Sequence, residues 1–354
     1  MERKMNIELV SEQEYQASNS VASRRCRQRK IWHNIKNLLK SCFDIQSHNR
    51  LLNRDGSLIN INRLRQNIND EQQSYKNRHI TWPYLLNIYS PSMTSSDKKI
   101  YQNRAIIRYN RLKRTWQERV SQSDPFYVTL ADTILKDVYR TDGHIKFFQK
   151  KKQILFNIMM TYSVYHPNPG YSQGMTDMLT PIVYVFIDES ISYFAFCSLM
   201  NRYMSSLFDR DQIEINRRIR LFNLILRSID DELWNKISFN EENYLYVYRW
   251  LLLDCKREFY QFDHVLRVLE LVWINSISPF VISQSITNYR SLFTIFVCIS
   301  ILQEDRQIIF SCLNEEDLHK YFFSSSSSSR SHRSTKRILQ RAQINYSNYI
   351  LSQK

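Results

Sequence analysis

The chain has 354 residues, 43% of them hydrophobic and 13% aromatic, which is enough for one large core or two coupled lobes and too apolar for a disordered protein. Its four glycines fit neither a Walker-type phosphate loop nor a dinucleotide fingerprint, because both need glycines at fixed offsets before a helix. The formal net charge of +15 at pH 7 favours anionic partners, such as nucleic acid, a membrane surface or an acidic protein.

The sequence also lacks the common signatures of metal and hydrolase sites. The six cysteines form no C-x-x-C pair, the eight histidines form no H-E-x-x-H, and G-x-S-x-G does not occur. We therefore predict no metal site and no cofactor of the chain's own. Cys197, Cys255 and Cys298 lie in apolar runs typical of buried, reduced thiols in a cytosolic protein. The longest apolar run, Leu292–Leu302, is too short to span a bilayer.

Residues 1–49 form a polar and basic segment with no signal peptide and with one helix predicted to start near Lys30. From Ile80 onward the pattern indicates successive helices, with prolines marking boundaries or first turns. We predict helices over 98–120, 153–165, Met175–Phe186, 191–208, 214–229, 242–254 and 262–274. The prediction is an all-α fold.

Six consecutive serines, Ser324–Ser329, are typical of a flexible linker and place the end of the compact domain near Phe323. Residues 324–354 are accordingly predicted to be a Ser-rich linker and a basic tail, with one further helix over 334–351. Two basic clusters carry much of the charge, one at 24–30 and the other formed by Arg330, Arg333, Lys336, Arg337 and Arg341. They are interpreted as solvated arms, or alternatively as weak contacts to anionic lipid.

The first chemically informative segment is I-x-x-D-x-x-R, formed by Ile134, Asp137 and Arg140. On a helix these three residues share a face, so that Ile134 anchors in the core and Arg140 projects from the end. An Asp–Arg pair at this spacing is usually a surface ion pair worth less than about 1 kcal/mol. Alone, the segment favours no catalytic role.

The second segment is Y-x-Q-G-M-x-D, formed by Tyr171, Gln173, Gly174, Met175 and Asp177. It follows a Pro-Gly turn and leads into an apolar helix, which places Gln173 near a helix N-terminus, where backbone N–H groups favour anionic oxygens. A polar loop residue before a core helix is the simpler interpretation. Arginine and glutamine are nevertheless the two groups that GTP hydrolysis needs near the γ-phosphate.

Both segments resemble the signature motifs of the TBC domain, the catalytic domain of Rab GTPase-activating proteins. The family's R-x-x-x-W motif matches at Arg78 and Trp82, and Tyr248–Phe259 is similar to its R-W-L-L…K-R-E-F helix. Asn87 stands where the family often has glycine. The matches follow the family order over roughly residues 50–323, and within the family they resemble the branch of TBC domain family member twenty-five.

The resemblance implies a bilobed helical TBC (Rab-GAP) domain over residues 50–323 that binds a Rab small GTPase in its GTP-bound form. It implies Arg140 and Gln173 as catalytic fingers supplied to the Rab, which carries the GTP and Mg²⁺. Arg78, Trp82, Asp137 and Asp177, together with the remaining motif residues, are expected to be supporting residues. It further implies a cytoplasmic protein recruited to endomembranes, with roles in vesicle traffic and autophagosome maturation.

Two alternatives remain open from the sequence. One is a catalytically idle TBC scaffold that binds a Rab or a membrane adaptor, and the other is a basic helical nucleic-acid binder. The second has no recognition module to accompany its charge, so we expect no nucleic-acid partner. The extra N-terminal domain expected of longer relatives is not visible, and both a short homologue and a fragment fit the sequence.

Overall fold

Helices make up most of the chain that the structure describes. The computed structural model describes residues 51–70, 77–237, 245–275, 292–323 and 330–352. The chain divides into two compact units, Met1–Asn53 and Arg54–Lys354. The helix predicted near Lys30 and the basic cluster at 24–30 lie outside the described residues. No strand occurs within the described ranges, so the all-α prediction is confirmed.

The α-helices of the second unit are numbered in chain order over its described residues. They are α1 (Ile61–Asn69), α2 (Arg78–Leu85), α3 (Ser95–Ser121), α4 (Pro125–Arg140), α5 (Lys146–Gln149), α6 (Lys152–Tyr165), α7 (Met175–Phe186), α8 (Glu189–Leu199), α9 (Ile213–Ile229), α10 (Asp231–Ile237), α11 (Leu245–Leu252), α12 (Phe262–Asn275), α13 (Leu292–Glu304), α14 (Arg306–Ser311), α15 (Glu315–Phe323) and α16 (Thr335–Ser352). None of these helices is long and apolar enough to cross a membrane.

The helix predicted over 191–208 is shorter and irregular at its end. Helix α8 stops at Leu199 and continues as a π-helical turn, Met200–Met204, and a 3₁₀ turn, Ser205–Leu207. Pro181 lies inside α7 rather than at a boundary. Proline leaves the carbonyl one turn earlier without its usual N–H donor. The helix nevertheless continues through Pro181, and the Thr180 hydroxyl oxygen lies 3.1 Å from that carbonyl, Asp177 O.

The helices pack in two groups along the chain. Helices α3, α4, α6, α7 and α8 pack on one another, as do α9, α11, α12, α13 and α16, while α2 contacts α7 and α1 contacts α12. Trp82 of α2 and Trp273 of α12 are fully buried, with ring centroids 4.9 Å apart in an edge-to-face arrangement. Burial of such side chains contributes about 1.5–3 kcal/mol each and fixes where these helices meet.

Helix α3 shows how the sequence sets a helix start and a buried face. A capping box joins Thr94 and Asp97 at its N-terminus and satisfies two backbone donors. Tyr109 and Trp116 are buried on the inward face, and the Trp116 indole donates to Thr161 Oγ1 at 2.9 Å. Ile107, on the same predicted helix, faces outward and is exposed.

The C-terminal segment is packed against the domain. Helix α16 buries Ile338, Leu339 and Ala342 against α13, and the Tyr346 ring lies 5.6 Å from that of Phe293. The compact unit therefore runs past residue 323, where the sequence analysis ended the domain, because α16 has an apolar face that needs cover.

The arginines of the C-terminal basic cluster pair with carboxylates of the unit. Arg330 lies 3.4 Å from Glu258, Arg333 lies 2.7 Å from Asp305, and Arg337 lies 2.7 Å from Glu304. Arg341 contacts Glu304 as well, at 3.4 Å. The interpretation of these arginines as a solvated arm is wrong, because carboxylates of the domain face them. Lys336 is exposed.

Candidate functional site

Arg140 ends helix α4, as the motif predicts. The Asp124 side chain accepts the Phe126 N–H at 3.1 Å and Pro125 occupies the first turn, which is a favourable start for a helix. Ile134 is fully buried and holds the helix to the core. The Arg140 side chain is 66% exposed, so it is available at the surface.

Lys152 supports this end of α4. Its ammonium group donates to Val138 O at 2.6 Å, Thr141 O at 3.1 Å and Tyr139 O at 3.3 Å. The last carbonyls of a helix lack intrahelical partners and carry partial negative charge, so a cation there stabilises the helix end. Burial lowers the pKa of Lys152, and nearby Asp142 opposes that effect.

Gln173 lies two residues before the start of helix α7 and is exposed. Gly174 is the residue before the helix, with a φ of 100° that side-chain-bearing residues rarely adopt. A Cβ at this position would lie 3.2 Å from Leu253 Cδ2 and 3.6 Å from Phe208 Cε1. Behind it, Met175 is fully buried. The glycine thus permits the sharp entry that leaves Gln173 at the surface.

Asp137 joins the two motif segments. One of its carboxylate oxygens, Oδ1, accepts a hydrogen bond from the Arg140 guanidinium, and the other, Oδ2, accepts one from the Tyr171 hydroxyl. Asp137 is buried, whereas Arg140 is exposed. Burial and the hydrogen bond to Asp137 raise the pKa of Tyr171, so its hydroxyl stays protonated as a donor. The sequence predicted the face shared by Asp137 and Arg140 but not the bond to Tyr171.

A second link runs through Lys256, which is buried in the 3₁₀ turn Lys256–Glu258 between α11 and α12. Its ammonium group lies 2.5 Å from Asp142 Oδ2, just beyond α4, and 3.0 Å from Asp177 Oδ1, in the first turn of α7. Thr180 Oγ1 also donates to Asp142, at 2.6 Å. One cation therefore ties the end of the helix that carries Arg140 to the start of the helix that follows Gln173.

Arg257 completes the set around Asp177. Its Nε and Nη2 donate to the two oxygens of the Asp177 carboxylate, at 2.9 and 2.5 Å, as a two-pronged pair. Burial alone raises the pKa of Asp177, but the charge of Lys256 and the hydrogen bonds from Arg257 outweigh it and hold this pKa below its ordinary value. Asp177 is therefore ionised at neutral pH and braces the loop that carries Gln173.

Arg78 and Trp82 meet at a different place. Both donate to Glu270 Oε1, each at 2.9 Å, and Arg78 also reaches Asp263 at 3.0 Å. These contacts join α2 to α12 in the buried core. The arrangement fits the supporting role predicted for this motif.

A groove of about 420 Å³ lies beside Gln173. Its lining includes apolar Phe208 and Leu253 and the basic residues Arg210 and Arg257. Arg140 is not part of the lining. In the described part of the chain, no group of three or more His, Cys, Asp or Glu residues is arranged to hold a metal ion.

Comparison with known proteins decides the family. The family described as the Rab-GTPase-TBC domain matches residues 75–310, well over half of the chain. The chain belongs to this family. The match contains the I-x-x-D-x-x-R and Y-x-Q-G-M-x-D segments, the R-x-x-x-W motif and the Lys256–Glu258 turn.

This TBC domain is similar in sequence to several curated proteins. It is 32% identical over 234 residues to TBC1 domain family member 25 of Mus musculus, covering 64% of this chain and 31% of that protein. It is 28% identical over 257 residues to GTPase-activating protein GYP7 of Yarrowia lipolytica, covering 64% and 33%. The chain thus spans about a third of the length of these relatives. The predicted resemblance to the branch of member twenty-five is confirmed.

Solved structures confirm the TBC fold. The Ypt/Rab-GAP domain of Gyp1p superposes with a TM-score of 0.67 at 18% identity, over 87% of this chain and 98% of that one. A flagellar RabGAP TBC domain from Chlamydomonas gives 0.58 at 13% identity, over 82% and 86%. Helix packing has therefore stayed similar where sequence has diverged.

Sequence reasoning missed three cations that shape this site of the TBC domain: Lys152, Lys256 and Arg257. Nothing in the sequence distinguishes Lys152, since it is one of three successive lysines. Lys256 and Arg257 could have been found from the sequence, because they are the K-R of the K-R-E-F segment. Buried carboxylates require cationic partners, and Asp177 had none nearby in sequence.

Proposed function

We propose that this chain is a GTPase-activating protein for a Rab-family small GTPase and supplies Arg140 and Gln173 to the Rab's active site. One observation carries the proposal: the two segments that hold these residues are joined through Asp137, whose two oxygens contact Arg140 and Tyr171. This contact brings Tyr171, which lies two residues before Gln173, to the helix that ends at Arg140. Family membership supports the activity in general.

Arg140 provides positive charge in this mechanism. An arginine entering the nucleotide site neutralises charge that develops on the phosphoryl oxygens as the bond to the leaving phosphate breaks. Fingers supplied by a partner protein contribute about 10³–10⁵ in rate, which corresponds to roughly 4–7 kcal/mol. Exposure leaves the guanidinium accessible to a Rab, and Asp137 restricts its orientation before binding.

Gln173 orients the attacking water. Its amide has a donor and an acceptor, so it can hold a water molecule in line with the phosphorus while the water loses its proton. The position before α7 adds the partial positive charge of a helix N-terminus. Catalysis consists of positioning and electrostatic stabilisation without a covalent intermediate, and the Rab brings both GTP and Mg²⁺.

The groove beside Gln173 is the proposed contact for the Rab's nucleotide-dependent loops. Apolar Phe208 and Leu253 offer contact area, and Arg210 adds a charge that suits an acidic loop. Selectivity among Rabs would then depend on groove residues outside the two motifs.

The test is a panel of Rab·GTP substrates assayed with the wild type and with Arg140→Ala. We expect one or a few Rabs to respond to the wild type and none to Arg140→Ala, because alanine supplies no charge. Arg140→Lys is expected to fail too, since lysine lacks the planar fork. Full stimulation by Arg140→Ala on a responding Rab would overturn the proposal.

The alternative is a catalytically idle scaffold that binds a Rab. It is favoured by the ion pair between Arg140 and Asp137, because a finger held by its own carboxylate has to leave it to reach a nucleotide. Under this alternative, a Rab·GTP binds the wild type tightly but hydrolyses GTP at its intrinsic rate, and Arg140→Ala binds equally well.

For the cell, the proposal is a cytoplasmic protein recruited to endomembranes, acting in vesicle-mediated transport and autophagosome maturation. Weak contact with anionic lipid would then fall to the N-terminal cluster at 24–30, because the C-terminal arginines are paired within the domain. A fluorescent fusion that stays diffuse when autophagy is induced would argue against the autophagosome assignment.

A further inference from the structure

Glu258 is a buried carboxylate near the proposed site, and the proposed function gives it no role. It ends the turn whose other members, Lys256 and Arg257, hold Asp142 and Asp177, and its side chain is only 2% exposed. A buried carboxylate of this kind needs compensating charge. Three arginines supply it: Arg249 at 3.1 Å, Arg333 at 3.2 Å and Arg330 at 3.4 Å.

Two of these arginines come from the C-terminal segment and also donate hydrogen bonds to the backbone of the turn. Arg330 donates to the carbonyl oxygen of Arg257, and Arg333 donates to that of Glu258 at 3.1 Å. Arg333 is itself fixed at its other end, where Nε donates to Asp305 at 2.8 Å. The segment that starts at Arg330 therefore works as a strap that anchors the turn to the end of α13.

The strap and the carboxylates of Asp142 and Asp177 contact different groups of this one turn. Lys256 and Arg257 point toward Asp142 and Asp177, while Glu258 and the backbone carbonyls point toward the strap. A displacement of the turn is transmitted directly to the two-pronged pair between Arg257 and Asp177. That pair holds the first turn of α7, which Gln173 precedes.

We propose that Arg330 and Arg333 are positioning residues for the stimulated hydrolysis, acting through the Lys256–Glu258 turn on Gln173 and Arg140. The proposal rests on the proposed function. Neither arginine belongs to the matched residues 75–310, so both lie outside the family motifs. Catalytic groups tolerate little displacement, and a shift of about 1 Å can cost up to about 100-fold in rate.

The experiment compares Arg330→Ala, Arg330→Lys and Arg333→Lys in the full chain. Arg337→Ala is the matched control, because it removes the same charge from the same segment but contacts Glu304 instead of the turn. Hydrogen exchange is measured for residues 171–180, with α3 as an internal reference for global unfolding. Single-turnover hydrolysis on a responding Rab gives the maximal rate and the half-saturating concentration separately.

We expect Arg330→Ala to speed exchange in 171–180 by about fivefold or more without changing α3. Its maximal rate should fall by about 10- to 100-fold, while the half-saturating concentration stays within about twofold. Arg330→Lys, which keeps the charge near Glu258, should recover part of the rate. Arg333→Lys should show a weaker form of the Arg330→Ala effect, and Arg337→Ala should match the wild type.

Unchanged exchange in 171–180 for Arg330→Ala would overturn the proposal, as would equal effects of Arg337→Ala. A higher half-saturating concentration with an unchanged maximal rate would also overturn it, because that result indicates a docking role. If the wild type stimulates no Rab, the proposed function is wrong, and so is the part of this inference that concerns the rate of hydrolysis. Exchange in 171–180 would still decide whether the strap holds the loop.

Discussion

Gly174 determines where Gln173 can lie. Its positive φ and the nearness of Leu253 both disfavour a side chain at this position. Asp177, one helical turn later, is held by Lys256 and Arg257. At the residue scale, the candidate site therefore depends on a glycine and a buried carboxylate, and each can be tested separately.

Gly174→Ala is expected to lower the free energy of unfolding by about 1–3 kcal/mol, because alanine at a φ of 100° is strained and its Cβ meets Leu253. The stimulated rate should fall by more than stability explains, since the relaxed loop moves Gln173. Urea unfolding and single-turnover hydrolysis measure the two effects. Ser172→Ala, in the same loop, is the control and should change neither; a Gly174→Ala chain as stable as the wild type would contradict the argument.

Asp177→Asn should make the domain less stable and less sensitive to acid. The pKa of Asp177 is held below its ordinary value of 3.8 in the folded state. Its contribution to the free energy of unfolding is therefore fully present above pH 3.8, and it is lost as the pH falls through the lower folded pKa. Removing one partner of a buried ion pair costs about 3–5 kcal/mol at neutral pH. Urea unfolding from pH 7 to pH 3 should show a smaller loss for the variant; parallel curves would contradict this assignment.

At the scale of elements, side chains from two other segments hold the end of α4 and the start of α7. Lys152 caps α4 from the first turn of α6, and Lys256 reaches both helices from its 3₁₀ turn. Helix boundaries alone do not reveal this link, because it is made by Lys256, which contacts both Asp142 and Asp177.

Lys152→Met tests the cap on α4. Without the ammonium group, the carbonyls of the last turn lose a charged donor, and we expect a local loss of about 1–2 kcal/mol. Hydrogen exchange over residues 138–142 should become faster, and the stimulated rate should fall with it. Lys150→Met removes an exposed lysine nearby and should leave both unchanged. Equal exchange in the two variants would rule out the cap.

At the scale of the whole molecule, apolar periodicity was enough to predict an all-α fold and most helix positions, because buried faces repeat every three or four residues. The motifs also gave the prediction that Arg140 and Gln173 act as a pair, and this stays a prediction. The contacts of Lys256 and Arg257 with Asp142 and Asp177 could not be predicted, because they cross about 80–114 residues of sequence. Composition was misleading for the C-terminal arginines, since serine runs and basic residues are typical of tails and the opposing carboxylates are distant in sequence.

Helix α16 is therefore expected to contribute to global stability. Ile338→Ala should lower the free energy of unfolding by about 2–5 kcal/mol, because Ile338 is fully buried against the domain. Ile344→Ala, on the same helix but with its side chain exposed, should change it by less than about 0.5 kcal/mol. Thermal or urea unfolding distinguishes them. Equal stability of the two variants would show that α16 does not stabilise the domain and is better described as a tail.

The most direct measurement of the central claim is single-turnover GTP hydrolysis by a responding Rab with saturating amounts of wild type, Arg140→Ala and Lys136→Ala. Lys136 is exposed on the same helix and controls for loss of one positive charge. We predict that Arg140→Ala loses about 10³-fold or more of the stimulated rate while remaining folded, and that Lys136→Ala keeps it. Stimulation by Arg140→Ala equal to that of Lys136→Ala would contradict the account.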